Sequence, residues 1–156
     1  MGHFAKPDGE PIIPGSLAPL TKDRIKAVLD SEGYKYDVDD DGDIWGGWPD
    51  TTFWFLTMGQ QKEILMLRGR WDKRLELTDV DKVLPILDKW HREHFFPRAL
   101  TVPFEDDGDL RLFTEVVIDC EYGITDEQMT LHLRSCLSST WDLVALLKEA
   151  FPNARD

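Results

Sequence analysis

Apolar residues first recur at helical spacing: Ile25, Val28 and Leu29 follow Thr21, and the stripe stops before Gly33. Threonine is a good N-cap, because its hydroxyl accepts an orphan N–H of the first turn, and glycine takes the left-handed conformation that closes a helix. The period then changes to two. Tyr34, Tyr36 and Val38 lead into Asp39-Asp40-Asp41-Gly42-Asp43, and Ile44, Trp45 and Trp48 follow. An Asp-Gly step between such residues predicts a hairpin, and Gly46-Gly47 predict a bulge or a bend after it. Residues 52–58 and 62–71 predict a second hairpin around Gly59-Gln60-Gln61. Its first strand is apolar at consecutive positions, which predicts cover on both faces. Its second alternates, with Leu65, Leu67 and Trp71 on one side and Ile64, Met66, Arg68 and Arg70 on the other.

Residues 79–94 predict a helix with Val80, Val83, Leu84, Leu87 and Trp90 inward. Pro85 must then lie in the first turn of a helix that starts near Lys82, or mark a kink, and Pro97 ends the element. Residues 98–104 and 110–121 form a third predicted hairpin around Glu105-Asp106-Asp107-Gly108-Asp109. The last helix opens on a capping box, Thr125 with Gln128, and carries Met129, Leu133, Cys136, Leu137, Val144, Leu147 and Phe151 on one stripe. Ser138-Ser139-Thr140 could interrupt it, because their hydroxyls compete for backbone hydrogen bonds. Leu131 and Leu146 fall off the stripe and are available to a second partner. Strands that pair by hairpins make an antiparallel sheet with helices largely on one face, an α+β fold. The two Asp-Asp-Gly-Asp turns hint at duplication, although shared turn chemistry explains them equally.

Residues 1–19 differ from the rest. Pro7, Pro11, Pro14 and Pro19, with Gly2, Gly9 and Gly15, exclude helix and central strand and predict an extended arm, which Ile12 and Ile13 would pin to the body or to a neighbour. Residues 20–156 read as one domain, in keeping with a chain of 156 residues. Eighteen basic against thirty acidic side chains give a net charge of −12, which argues against nonspecific binding to nucleic acid or anionic membranes. No apolar run is long enough to span a bilayer, and the first twenty residues lack a secretory pattern, so the expected location is cytoplasmic. Cys120 and Cys136 match neither CxxC nor zinc-ligand spacing. They read as buried thiols of a reducing compartment, with an intrachain disulfide as the alternative.

Three phrases carry a family likeness: Leu29-Asp30-Ser31-Glu32-Gly33-Tyr34, the run from Trp90-His91-Arg92-Glu93-His94 to Phe95-Phe96-Pro97-Arg98-Ala99, and Gly123-Ile124-Thr125-Asp126-Glu127-Gln128. With the order of elements they resemble the YbjN family of bacterial proteins, from about Leu20 to Phe151. The resemblance implies a fold like that of the type III secretion chaperones, a twisted antiparallel sheet of five to six strands with three helices mainly on one face, commonly dimeric. It also implies a sensory-transduction regulator or chaperone-like binder, with no established catalytic residues.

Candidate chemistry adds little to this. Asp37-x-Asp39-x-Asp41-Gly42-x-Ile44 reproduces the start of an EF-hand loop, but Trp48 stands where the bidentate glutamate belongs, which leaves a solvated hairpin turn. His91 with His94, and His132 with Cys136, lack a third ligand. Ser138, Ser139 and Cys136 have no evident activating base, and neither a nucleophile elbow nor a phosphate loop is present. Arg68, Arg70, Lys73 and Arg74, interleaved with Trp71, could stack on single-stranded nucleic acid. Residues 62–74 hold five basic and two acidic side chains, a local +3 within −12, so salt bridges to the acidic helices are their expected use. Of six tryptophans, Trp54, Trp71 and Trp90 occupy patterned core positions, whereas Trp45 and Trp48 predict an exposed contact surface. The expectation is a non-catalytic, protein-binding, chaperone-like or regulatory adaptor of the bacterial cytosol, with no catalytic, metal or cofactor site. Its expected contact residues are Trp45, Trp48, Leu131 and Leu146. Its expected partners are a protein client, basic to suit the acidic rim, and a second copy of itself, with no nucleic acid or membrane. The alternative is a small-molecule- or metal-binding domain, or an enzyme, with a pocket between helix and sheet.

Overall fold

The structure, a computed structural model, describes residues 17–156. The expected arm therefore lies almost wholly outside the described residues, and its last part is no arm. Ala18 is buried and exchanges backbone hydrogen bonds with Ile124. Arg24 donates to the carbonyls of Ala18, Pro19 and Ile124 at 2.7–2.9 Å, which staples the start of the fold to the loop before the last helix.

Helix α1 spans Lys22–Ser31, with the Thr21 hydroxyl accepting the Arg24 N–H and Gly33 at φ 73° behind it, as the caps predict. The two-residue β1 (Asp37–Val38) and β2 (Ile44–Trp48) flank the acidic turn, where Gly42 takes φ 82°. Next come β3 (Thr51–Met58), β4 (Ile64–Trp71), β5 (Leu75–Glu76), a 3-10 turn at Leu77–Asp79 and α2 (Val80–Glu93). Pro85 sits inside α2, past its first turn, because the helix starts at Val80 and not near Lys82. Then β6 (Arg98–Phe104), β7 (Asp109–Asp119) and α3 (Asp126–Ala150) complete the fold, with the Thr125–Gln128 capping box formed as expected.

Seven strands, one more than the upper expectation, make one antiparallel sheet. The extra strand is β5, two residues with no alternation to announce it. The order is β1-β2-β3-β4-β7, with β6 on the far edge of β7 and β5 paired beside β4's end at Leu75–Leu110 and Glu76–Asp109. All three helices cover one face. The first half of α3 and α1 bury Ile25, Leu29, Met129, Leu133 and Leu137 against Ile44, Phe53, Phe55, Leu65 and Leu67. The second half of α3 and α2 bury Val83, Leu87, Trp90, Leu143 and Leu147 against Trp71, Leu110 and Leu112. Leu84, expected inward, is half exposed.

Where the two cores meet, backbone and helix come close. Ser138-Ser139-Thr140 do not interrupt α3; the buried Thr140 hydroxyl instead bonds the Thr114 hydroxyl of β7 at 2.9 Å. Beside it, a Cβ on Gly69 would stand 2.6 Å from Thr114 Oγ1 and 2.8 Å from the Phe53 ring. Gly69→Ala is expected to cost about 2 kcal/mol through this overpacking, read as a lower urea midpoint. Gly46-Gly47 form neither bulge nor bend. They pair regularly with Phe53 and Thr52, and Gly46 leaves room for the Trp48 ring and the Lys35 carbonyl.

Both sheet edges are blunted. β1 is two residues long, and on β6 the outward Ala99 N–H donates to His91 Nε2 at 2.9 Å, while Pro103 has no N–H to offer. These devices discourage strand addition from another chain.

Candidate functional site

The face of the sheet opposite the helices carries the most distinctive chemistry. Register sets Trp45, Trp54, Arg68, Glu115 and Arg98 in one row across five strands. The next row runs Thr52, Arg70, Phe113 and Leu100, and a third holds Leu56, Met66 and Val117. Three arginines sit over aromatic rings. Arg68 stacks over the Phe113 ring at 4.2 Å, Arg70 over Trp54 at 5.3 Å and Arg111 over Phe104 at 5.9 Å. Glu115, only 6% exposed, accepts from Arg98 Nε at 2.9 Å and faces Arg68 Nε at 3.5 Å. Asp72 accepts from both Arg70 and the Thr52 hydroxyl. Burial, and then the neighbouring Arg74 and Arg70, lower the Arg111 pKa from its ordinary value. Such a face presents apolar surface and oriented N–H donors together, which suits a segment that carries carboxylates beside apolar side chains.

The basic cluster is thus used differently from the expectation. Arg68 pairs with Glu115 of β7, Arg70 with Asp72, Lys73 with Asp156 and Arg74 with Asp109, so its partners are the sheet and the C-terminal segment, not the helices. Trp54 is not a core residue: it stands on the helix-free face, and β3 is covered by helices on one side only.

Trp45 and Trp48 lie on opposite faces. Trp45 points to the bare face, whereas Trp48 packs edge-on against Tyr34, Phe53 and Phe55 at 5.5–6.3 Å and belongs to the core side. They cannot form one contact patch, and a Trp45/Trp48 double alanine variant would disturb the fold along with any surface. Leu131 and Leu146 do stand off the α3 stripe, 64% and 46% exposed. Leu146 lines a groove of about 440 Å³ between α2 and α3 with Ile86 and Trp90.

The candidate metal motif is a turn. Asp39 Oδ1 accepts the N–H groups of Asp41 and Asp43, and Lys22 donates to the Gly42 carbonyl at 2.6 Å. Among the described residues no group of three metal-ligating side chains comes together. His91 caps β6, and His94 stacks on Trp90 at 3.6 Å. Burial lowers the His132 pKa. Cys120 and Cys136 are both buried and unpaired with one another; burial raises the first thiol and pushes the second up to about 12. On the surface, Arg134 grips Glu32 through two nitrogens at 2.7 and 2.8 Å and holds its carboxyl below the usual range. Among the described residues no helix is long and apolar enough to cross a membrane.

Residues 21–149 match a family model described as "YbjN: Putative bacterial sensory transduction regulator". No curated protein matches the chain. The fold is similar to the crystal structure of YbjN from E. coli, described as "a putative transcription regulator", with a TM-score of 0.75 and 14% identity over 90% of this chain and 100% of that one. At that identity the likeness speaks for the fold alone.

Proposed function

The chain belongs to the YbjN family, whose description is that of a bacterial regulator, and from that premise we propose that it works without catalysis, by binding a protein partner on the helix-free face of its sheet. The observation that carries this reading is the row Trp45, Trp54, Arg68, Glu115 and Arg98, with Phe113, Met66 and Val117 beside it. Half-buried aromatics and arginines are the residue types that dominate protein interfaces. The local chemistry favours an acidic segment with apolar side chains over the basic client that the overall charge suggests. The long-range field of a −12 molecule acts on approach, but the contact itself is made by arginines.

Affinity capture from lysate at low and high salt tests the reading, with the wild-type chain and Val117→Glu as baits. Val117 is half exposed on the bare face, so its replacement leaves both cores intact. A recurrent partner that is lost with Val117→Glu and weakened by salt is the expected result. A partner retained equally by both baits would put the contact elsewhere.

The same reading includes a homodimer and a cytoplasmic location. Leu131 and Leu146 on α3 are the proposed dimer contacts, and Leu131→Glu with Leu146→Glu is expected to convert a dimer to a monomer in sedimentation, with the circular dichroism spectrum unchanged. A chain that sediments identically before and after the change would exclude this face.

A further inference from the structure

Between the 3-10 turn that precedes α2 and the C-terminal segment lies a cleft of about 290 Å³. Its walls are set by the fold itself. Arg74 and Arg155 exchange backbone N–H···O bonds of 2.7 and 2.9 Å, and the Ala154 N–H donates to the Phe151 carbonyl at 3.1 Å, which holds the C-terminal segment in a turn. Lys82 of α2 places its Nζ 4.6 Å from the centre of the Phe151 ring and donates to the Ala150 carbonyl. Three cationic side chains from separate segments, Arg74, Lys82 and Arg155, thereby line one small space.

This lining is short of acceptors. Arg74, Arg111 and Arg155 share the one carboxylate of Asp109, at 3.2, 3.8 and 2.7 Å. Arg74 Nε is buried and has no hydrogen-bond partner among the described residues. A buried donor on a charged group is costly to leave unpaired, so an oxygen brought beside it offsets that cost. Two carboxylates border the same cleft. Glu76 and Asp79 close a capping box on the 3-10 turn, where Asp79 Oδ2 accepts the Glu76 N–H at 2.9 Å, and a carboxylate has more acceptor sites than one such bond uses. A bare anion that reached the arginines would meet these two negative charges, and a bare cation would meet the three positive ones. A zwitterion satisfies both sets.

We propose that the cleft binds a free α-amino acid with an apolar side chain. Its carboxylate lies toward Arg74 and Arg155, its ammonium toward Glu76 and Asp79, and its side chain against Leu75 and Phe151, the apolar part of the lining. The cleft is at the small end of the range for ligand sites, about 300–1,000 Å³, which suits a molecule of this size.

Thermal unfolding of the full chain tests this, with each of the twenty amino acids added in turn and with acetate, phosphate and methylammonium as single ions at the same concentration. At ten times its dissociation constant, an apolar amino acid is expected to raise Tm by roughly 3–6 °C, because it binds the folded state alone. The single ions should leave Tm in place. Arginine side-chain ¹H–¹⁵N signals locate the ligand: the Arg74 Nε–H, assigned from Arg74→Lys, is expected to shift when the amino acid is added. Glu76→Gln keeps an acceptor for the capping box and removes the charge, so it should melt with the wild type in the absence of ligand and bind the amino acid at least tenfold more weakly. No rise in Tm with any amino acid would overturn the proposal, as would an equal rise with acetate or phosphate. An unmoved Arg74 Nε–H signal would place the ligand elsewhere, and undiminished binding by Glu76→Gln would show that the ammonium is not recognised; either result also overturns it.

Discussion

Asp109→Ala is expected to remove about 3 kcal/mol of folding stability, the cost of taking a buried carboxylate away from the arginines paired with it. Asp109 is 1% exposed at the start of β7. Its two oxygens accept from Arg74 at 3.2 Å and from Arg155 at 2.7 Å, and Arg111 lies at 3.8 Å. The same arginines join two distant parts of the backbone, since Arg74 and Arg155 exchange N–H···O bonds of 2.7 and 2.9 Å. One carboxylate thus ties the C-terminal segment to the short link between β4 and β5. The effect belongs at the low end of the range for a broken buried pair, because Arg74 and Arg155 are half exposed and can turn to water. In a chain of this size it corresponds to a fall in Tm of roughly 6–12 °C, read by circular dichroism. Asp109→Asn keeps the shape and loses the charge, and should fall between. An alanine variant that melts with the wild type would show that the clamp carries no stability.

The second large effect is on binding. Trp54→Ala removes the surface under Arg70 and opens the centre of the row that joins Trp45 to Arg98. If the bare face is the contact, affinity for the captured partner should drop about 30-fold, the size of a typical hot spot of about 2 kcal/mol. Arg68→Glu should do the same and also flatten the salt dependence, because it reverses a charge that the partner meets. The control is Leu84→Ala, a half-exposed position on α2, which covers the opposite face of the sheet. Titration calorimetry with folded variants settles the matter. Equal affinity for Trp54→Ala and the wild type would remove this face from the reading.

Much of the local structure was legible in advance, for a physical reason. Thr21, Gly33, Gly42, Thr125 and Gln128 act through hydrogen bonds or dihedral preferences within a few residues, and each does in the fold what its neighbours predict. The same holds for the alternation of β4. Errors arose where a residue's surroundings come from far along the chain. Thr52-Phe53-Trp54-Phe55-Leu56 reads as apolar on both sides, yet its second side is filled by Arg68 and Arg70 from the next strand. Gly46 looks like a break, but its missing side chain makes room for Trp48. Ser138-Ser139-Thr140 looks like an interruption, but Thr140 finds its partner on β7.

By itself, then, the order of helices and hairpins, their caps and turns, the family and the surplus of negative charge were all present in the sequence. Only the tertiary structure decided that one face of the sheet stays free of helices, that Trp45 reaches it while Trp48 turns away, and that Arg68, Arg98 and Glu115 meet there. A strand reverses its side chains at every residue, so a one-residue change of register would send this whole set to the other face. That register is set by β4, β7 and β6 pairing across dozens of residues, and by helices that need an apolar face to cover.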